Sequence, residues 1–417
     1  MKYPKEFSTH KIHDNYLLIY AEKPAWVILN NRELDTLKKI LGDNKVENPK
    51  ALDSLEKKCF DAKFFEEDIQ KKEGFEFDIY ELHLILTHSC NLKCSHCYME
   101  AGEQIENELT FEELQVFLIK LIEATQKKFN VVISGGEPFC VSWLPELISF
   151  LSEHKCCIDI YTNGTLINSN FLDKYHDKID SIQIGMEGIS NQTYETIRKK
   201  SDFSIVKNTI SLIKSYDIHL TLAIIIMPHN FDELKNEIRN FIDDIFYEKL
   251  KIRIDAEIDW EGRAEKLLSC EYKNFYNKNM EEILIFISDL YKWYYQKFDL
   301  DVQSTFVSGH KMENCGIGLG MTIESSGDIY PCFWNVKKYG NLRNISDIDL
   351  KKLVSDFIVL NNYTVVDNIS LCNKCDLKYI CTGGCKVKNL DKNDDYNIPI
   401  CSSELKQEYY LKLYYGI

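Results

Sequence analysis

The chain has 417 residues, enough for several packed units, and 45% of them are hydrophobic against 28% charged, which excludes a disordered chain. Fifty Lys and Arg against 65 Asp and Glu leave a net charge of −15, which opposes attraction to phosphate backbones, so no nucleic-acid partner is expected. The first residues hold no apolar run of signal-peptide kind, and the stretch Leu220 to Met227 is too short to cross a bilayer, so the expectation is a cytoplasmic protein with no membrane partner. Fifteen cysteines in that setting stay reduced, and they read as metal ligands wherever their spacing is ordered.

Residues 1–76 read as a separate small unit. Tyr16 to Tyr20 and Ala25 to Leu29 are β-prone runs joined by Glu22-Lys23-Pro24, the pattern of a hairpin. A helix follows, with Asn31 as its cap, Leu34, Leu37 and Ile40 on one face and Gly42 at its end. Pro49 opens a second helix with Leu52 and Leu55 inward, an apolar cluster sits near Phe60 to Phe65, and Lys71-Lys72-Glu73-Gly74 reads as a linker. From 77 to 262, β-rich runs alternate with amphipathic helices, which predicts an α/β fold with a parallel sheet. Six strands are expected, at Leu82 to Thr87, Asn130 to Ser134, Cys157 to Thr162, Ser181 to Met186, His219 to Met227 and Lys251 to Ile258. Six such units suit a partial (β/α)6 barrel, and in parallel α/β folds the chemistry sits at the C-terminal strand ends. Thr110 and Glu113 form a capping box for the first crossover helix. In the sixth strand Arg253, Asp255, Glu257 and Asp259 alternate with apolar residues, giving one ionic face: a wet edge strand or a surface that meets substrate.

Residues 263–309 are read as a helical bridge, because Met280, Ile283, Ile287, Leu290 and Tyr294 recur at helical spacing. Residues 310–417 form a cysteine-rich C-terminal domain with little periodicity, expected to be held by metal rather than by apolar burial.

The loop after the first barrel strand carries Cys90, Cys94 and Cys97 as C-x3-C-x2-C, followed by Tyr98. Three thiolates can hold three corners of a cubane iron-sulfur cluster, and the fourth iron then stays open to chelate a small molecule. The alternative is a zinc site or three unrelated thiols. His96, between two of the cysteines, reads as a residue that shapes the loop. Here the sequence resembles the radical S-adenosylmethionine (SAM) superfamily. Ser134-Gly135-Gly136-Glu137-Pro138 is similar to that family's Gly-Gly-Glu-Pro motif, and Thr162-Asn163-Gly164 to its loop near the ribose. Gln183 to Gly188 departs from the family, with Gly185 and Glu187 standing where relatives usually carry Ser and Asp. The resemblance implies cofactor contacts from Tyr98, Gly135, Gly136, Glu137, Asn163, Glu187 and Arg198, the arginine pairing with the cofactor carboxylate. Gly262-Arg263-Ala264 is similar to a turn common after the sixth strand.

Cys315, Cys332, Cys372, Cys375, Cys381, Cys385 and Cys401 follow in an order similar to the SPASM extension of radical SAM enzymes, with a zinc ribbon as the alternative. The family pattern implies one auxiliary 4Fe-4S cluster on Cys315, Cys332 and Cys385 and another on Cys372, Cys375, Cys381 and Cys401, three 4Fe-4S clusters in all. Sulfatase-maturing relatives carry an additional cysteine shortly after the first, and Gly316 to Glu324 holds none, so the first auxiliary cluster has a possible open iron. Cys59, Cys140, Cys156, Cys157 and Cys270 match no motif.

The implied chemistry is reductive cleavage of S-adenosylmethionine at the Cys90/Cys94/Cys97 cluster, hydrogen abstraction by the resulting 5'-deoxyadenosyl radical, and return of an electron to an auxiliary cluster. The N-terminal pattern resembles the winged-helix leader-recognition domain of maturases that act on ribosomally made peptides, which take a leader by strand addition. The expected partners are a precursor peptide with its leader and an electron donor such as flavodoxin or ferredoxin. The expected activity is a cross-link in that peptide, most simply a cysteine sulfur-to-carbon thioether. The alternatives are a sulfatase-maturing, formylglycine-forming enzyme and a non-catalytic metal-stabilised peptide-binding protein.

Overall fold

A computed structural model describes residues 2–42, 49–66, 81–125, 129–199, 201–256, 258, 261–302, 306–334, 337–344 and 346–417. The expected linker at Lys71 to Gly74, and Glu257 and Asp259 of the ionic face, lie outside the described residues. The chain divides into two compact units, one of Met1–Glu76, Met280–Ile317 and Val359–Ile417, the other of Phe77–Asn279 and Gly318–Ile358. The segment read as one C-terminal domain from residue 310 is thus shared between them.

The first unit begins with an antiparallel sheet of β1 (Ser8–Ile12), β2 (Asn15–Tyr20) and β3 (Ala25–Asn30), in that order. β1 is absent from the sequence reading, because Ser8-Thr9-His10-Lys11-Ile12 carries one aliphatic residue. The helix Asn31–Leu41 is capped by Asn30 rather than Asn31. The Asn30 side chain accepts from the Glu33 amide at 3.0 Å, and Glu33 Oε2 accepts from the Asn30 amide at 2.9 Å. Glu33 also accepts from Ser54 and Lys58 of the helix Pro49–Asp61, at 2.7 and 2.8 Å. Phe64 is buried while Phe60 is exposed.

Strand β2 is buried on both faces. Leu18 packs with Val27, Leu29, Leu34, Leu37 and Leu55 beneath the two helices. Leu17 and Ile19, one residue to either side, point the other way and pack with Ile12, Leu284, Leu377, Ile380, Leu411 and Leu413. The N-terminal sheet therefore does not stand apart, since the C-terminal cysteine segment covers its second face. The helix Gly262–Lys297 buries Ile283, Ile287, Leu290 and Tyr294, as its periodicity requires.

The second unit holds six parallel strands in sequential order: β4 (Glu81–Ile85), β5 (Asn130–Ser134), β6 (Cys157–Thr162), β7 (Ser181–Gly185), β8 (His219–Ile225) and β9 (Leu250–Asp255). Their register lines up Leu84, Ile133, Ile160, Ile182, Leu220 and Leu250, a buried apolar row that crosses all six. The alternate residues His83, Asp159, Tyr161, Gln183, Thr221 and Arg253 are half-buried or exposed, so this face is wetter, except at β5, where Val132 is buried. The crossover helix Phe111–Thr125 starts at the expected box, Thr110 and Glu113 bonding each other's amides at 3.0 and 3.3 Å.

Beyond β4 the sheet is extended by β10 (Gly320–Ile323), parallel to it, and then by β11 (Asp328–Tyr330) and β12 (Gly340–Asn341), each antiparallel to the strand before it. The expectation that residues beyond Cys315 lack an apolar core is corrected here, because Met321, Ile323 and Ile329 are buried in this extension. Among the described residues no helix is long and apolar enough to cross a membrane.

Candidate functional site

The loop carrying Cys90, Cys94 and Cys97 leaves the C-terminal end of β4 and is held almost wholly through its backbone. The Cys90 amide bonds to Gly102 O and the Gly102 amide to His88 O, at 3.0 and 2.9 Å. Glu108 accepts from Thr87 Oγ1 and from the His88 amide, both at 2.7 Å. Arg263 donates from Nε to Cys94 O at 2.9 Å and from Nη1 to Ala101 O at 2.8 Å, and its amide reaches Cys97 O at 3.1 Å. Gly262-Arg263-Ala264 is thus a clamp on the cysteine loop, a role its resemblance to a common turn did not disclose. Burial pushes the Cys94 thiol up to about 11 and raises that of Cys90. As free groups at neutral pH they would be protonated, so a metal must displace the proton to keep them as thiolates.

Gly135 and Gly136 close onto the same loop. A Cβ on Gly136 would lie 2.4 Å from Ser89 O, and one on Gly135 2.6 Å from Thr87 O. The Gly136 and Glu137 amides donate to Thr87 O and Ser89 O at 2.8 and 2.9 Å. The missing side chains therefore serve first to let β5 meet the cysteine loop. Glu137 is fully buried. Its carboxylate accepts from Thr162 Oγ1 at 2.7 Å and from the Asn163 and Phe139 amides at 2.8 and 3.2 Å, tying the ends of β5 and β6 together. Burial nonetheless leaves its carboxyl raised. The Asn163 side chain turns toward the cysteine loop, 2.9 Å from Asn91 Oδ1 and 3.9 Å from Cys90 Sγ. Tyr98 is 38% exposed and meets Trp334 edge-on at 5.4 Å.

At the end of β7 the departure from the family pattern becomes intelligible. Arg198 and Glu187 form a buried two-pronged pair, Nε to Oε2 and, at 3.1 Å, Nη2 to Oε1. A Cβ on Gly185 would lie 2.2 Å from Arg198 Nη2, so the glycine leaves room for the guanidinium. Burial alone would raise the Glu187 carboxyl, but Arg198 and His96 hold it below its ordinary range. His96 Nε2 lies 3.5 Å from Glu187 Oε1, which supports its reading as a loop-shaping residue. Glu187 takes Nε and Nη2 of Arg198, and Nη1 is left 4.0 Å from Cys94 Sγ. Sequence reasoning also passed over His83, half-buried and bonded to Ser134 Oγ at 2.6 Å, which burial holds down to about 4, hence neutral.

In the first unit Cys372, Cys375, Cys381 and Cys401 line one cavity of about 260 Å³ with Leu377, Ile400 and Tyr409. Turns set their spacing, the Cys375 amide bonding to Cys372 O and the Cys381 amide to Leu377 O, both at 2.8 Å. Burial pushes the Cys372 thiol up to about 11. Four soft donors around a cavity fit a four-iron cluster. Among the described residues no three Cys, His, Asp or Glu side chains form a single-ion site. Asp376, next to Cys375, accepts from Ser8 Oγ and is bonded to His10 Nε2, both at 2.6 Å, so β1 holds this loop. Of the other three cysteines, Cys315 and Cys385 belong to the first unit and Cys332 to the second.

The sequence model of the Radical SAM superfamily matches residues 84–242. The chain is 22% identical over 362 residues to a cysteine-type anaerobic sulfatase-maturating enzyme of Clostridium perfringens, covering 78% of this chain and 91% of that protein. It is 23% identical over 326 residues to the antilisterial bacteriocin subtilosin biosynthesis protein AlbA of Bacillus subtilis, covering 76% and 69%. Among solved structures, Streptococcus suis SuiB bound to its precursor peptide SuiA aligns with a TM-score of 0.59 at 16% identity, over 96% of this chain and 99% of that one, a likeness of fold.

Proposed function

Since residues 84–242 match the Radical SAM superfamily, we propose that this chain is a radical SAM peptide maturase that forms a thioether between a cysteine sulfur and a carbon of a ribosomally made precursor. The observation that carries this reading is the pairing of two cysteine sites. One is a three-thiol loop at the C-terminal end of β4, and the other a four-thiol cavity in a unit that also contains a small sheet-and-helix module. Its relationship to AlbA and its fold likeness to SuiB favour a peptide over a small molecule.

When bound, the cluster and S-adenosylmethionine together supply an adenosyl radical able to take hydrogen from an unactivated carbon. The chain's own residues then have defined tasks. Cys90, Cys94 and Cys97 would hold three irons of that cluster, and Arg263, Gly136 and Glu108 fix the loop that carries them. Arg198, anchored by Glu187, keeps Nη1 for a cofactor carboxylate, while Tyr98 and Asn163 stand at the rim of the same loop. Cys372, Cys375, Cys381 and Cys401 would hold one auxiliary cluster, and the family pattern assigns Cys315, Cys332 and Cys385 to another. Residues 1–76 take the leader, and a cytosolic flavodoxin or ferredoxin is the proposed electron donor.

The test is co-expression with a candidate cysteine-bearing precursor followed by mass spectrometry, the expected product lacking one hydrogen pair per cross-link. An unmodified mass with every cysteine still alkylatable would contradict the reading. The sulfatase-maturing reading is favoured by the Clostridium perfringens relative. It requires an aldehyde and loss of the cysteine sulfur from a sulfatase peptide, which the same spectra distinguish.

A further inference from the structure

Asn163 closes a ring of side-chain hydrogen bonds with Asn91 and Thr165 beside Cys90, all within the second unit. Asn163 Nδ2 donates to Asn91 Oδ1 at 2.9 Å, Asn91 Nδ2 to Thr165 Oγ1 at 2.8 Å, and Thr165 Oγ1 to Asn163 Oδ1 at 2.6 Å. Each side chain gives one bond and takes one in the same sense around the ring, an arrangement in which the bonds polarise one another. The backbone fixes that sense. The Thr165 amide can only donate, and it reaches Asn163 Oδ1 at 2.9 Å. The oxygen of the Asn163 side chain therefore faces Thr165, and its nitrogen faces the cysteine loop.

The main chain on either side holds Asn163 in this direction. The residue is 6% exposed, and its own amide donates to Glu137 at 2.8 Å. Gly164, with φ of 76°, turns the chain directly after it, and Gly164 O accepts from Thr209 Oγ1 at 2.8 Å. A side-chain amide nitrogen carries two hydrogens, and the ring uses one of them. The other has Cys90 Sγ as its acceptor, 3.9 Å from Nδ2. The Leu92 amide approaches the same sulfur at 3.4 Å. Cys90 thus has one N–H donor from its own loop and a second from the end of β6, and the second is aimed by the ring.

We propose that the Asn91–Asn163–Thr165 ring is a clasp that points an N–H donor at the Cys90 sulfur, so that Asn163 is a positioning residue that raises the reduction potential of the cluster on Cys90, Cys94 and Cys97. The inference rests on the radical SAM reading of those three cysteines. A hydrogen bond to a cluster sulfur draws off negative charge and so favours the state that carries one more electron. An electron donor then loads the cluster more readily.

The experiment uses the full-length protein, reconstituted anaerobically, as wild type, N163A and T165V. Iron is counted first, and EPR of the reduced wild type with and without S-adenosylmethionine identifies the signal that the cofactor perturbs. A wild type with no such signal would overturn the radical SAM reading, and this inference with it. Potentiometric titration without cofactor then gives the midpoint of that cluster. In N163A it is expected to fall, with the reduced-to-oxidised ratio at the wild-type midpoint dropping about tenfold, or about 59 mV for a one-electron couple. T165V keeps Asn163 and the backbone amide that orients it but opens the ring, and a smaller drop of about threefold is expected. An iron-replete N163A with the wild-type midpoint overturns the proposal, and weaker cofactor binding by that variant would then mark Asn163 as a cofactor contact instead. A shift shared equally by every cluster signal overturns it too. If N163A holds fewer irons, T165V decides: a lowered midpoint at full iron supports the proposal, and an unchanged midpoint or iron loss there overturns it.

Discussion

A backbone carbonyl 2.4 Å from where a methyl would stand makes Gly136 one of the least replaceable residues beside the cysteine loop. Gly136→Ala is expected to cost about 3 kcal/mol and to deplete the iron held by Cys90, Cys94 and Cys97. Gly102→Ala, with nothing within 4 Å of its new methyl, serves as the control and should stay within about 0.5 kcal/mol of wild type. Denaturant unfolding together with iron counting checks both. Glu187→Gln leaves a buried guanidinium without its counter-charge, so a loss of about 3 kcal/mol is expected. An unfolding midpoint equal to wild type would show that the Arg198–Glu187 pair is not what holds the end of β7. At this scale the sequence was informative about identity and silent about partners. C-x3-C-x2-C was legible from its spacing, and Gly-Gly-Glu-Pro through its resemblance to a family motif. That Gly185 and Glu187 answer each other through Arg198 was not, because the arginine stands eleven residues from the glutamate and only folding brings its fork back.

Elements are fixed to one another by similar small networks. Glu33 caps its own helix and takes Ser54 and Lys58 from the next, with its side chain 4% exposed. Burial alone would raise its carboxyl, but the Lys58, Asn30 and Ser54 hydrogen bonds hold it below the ordinary value. A folded value lower than the unfolded one means the stabilisation is complete above the ordinary carboxylate range and is lost as pH falls from there through the lower folded value. The wild type should therefore lose stability in acid relative to Glu33→Gln, while at neutral pH the variant is weaker by about 2 kcal/mol. Parallel curves for the two proteins from pH 7 to pH 3 would contradict this. Strands β5 and β6 coincide with their sequence expectations because Asn130 to Ser134 and Cys157 to Thr162 are bounded by clear breaks. β10 to β12 were illegible because strands of four, three and two residues carry too little pattern for any period to show.

Over the whole molecule, the first unit draws on three distant segments of chain, and its two cores lie on opposite faces of one three-stranded sheet. The clue was present in Leu17-Leu18-Ile19, three aliphatic residues in a row where a strand with one wet face would alternate. Its partners, Leu377 and Leu411 among them, could not be named from sequence, since nothing local marks a contact across some 360 residues. Leu17→Ala is expected to cost about 3 kcal/mol. Because the same core includes Cys375 and Cys381, it should also lower iron retention in the four-thiol cavity while sparing the three-thiol loop. Iron counting with EPR on the variant checks this, and unimpaired retention at that cost in stability would separate the sheet from the cluster.

In the proposed function, Cys90, Cys94 and Cys97 leave one iron open for S-adenosylmethionine. The most direct measurement is electron-nuclear double resonance on the reduced, reconstituted protein with cofactor labelled by nitrogen-15 at its amine and oxygen-17 at its carboxylate. Cys372→Ala and Cys315→Ala substitutions would be included to simplify the spectrum. Hyperfine couplings from both labels are expected on the remaining cluster. Absence of both couplings, with a fourth protein ligand on that iron, would contradict it.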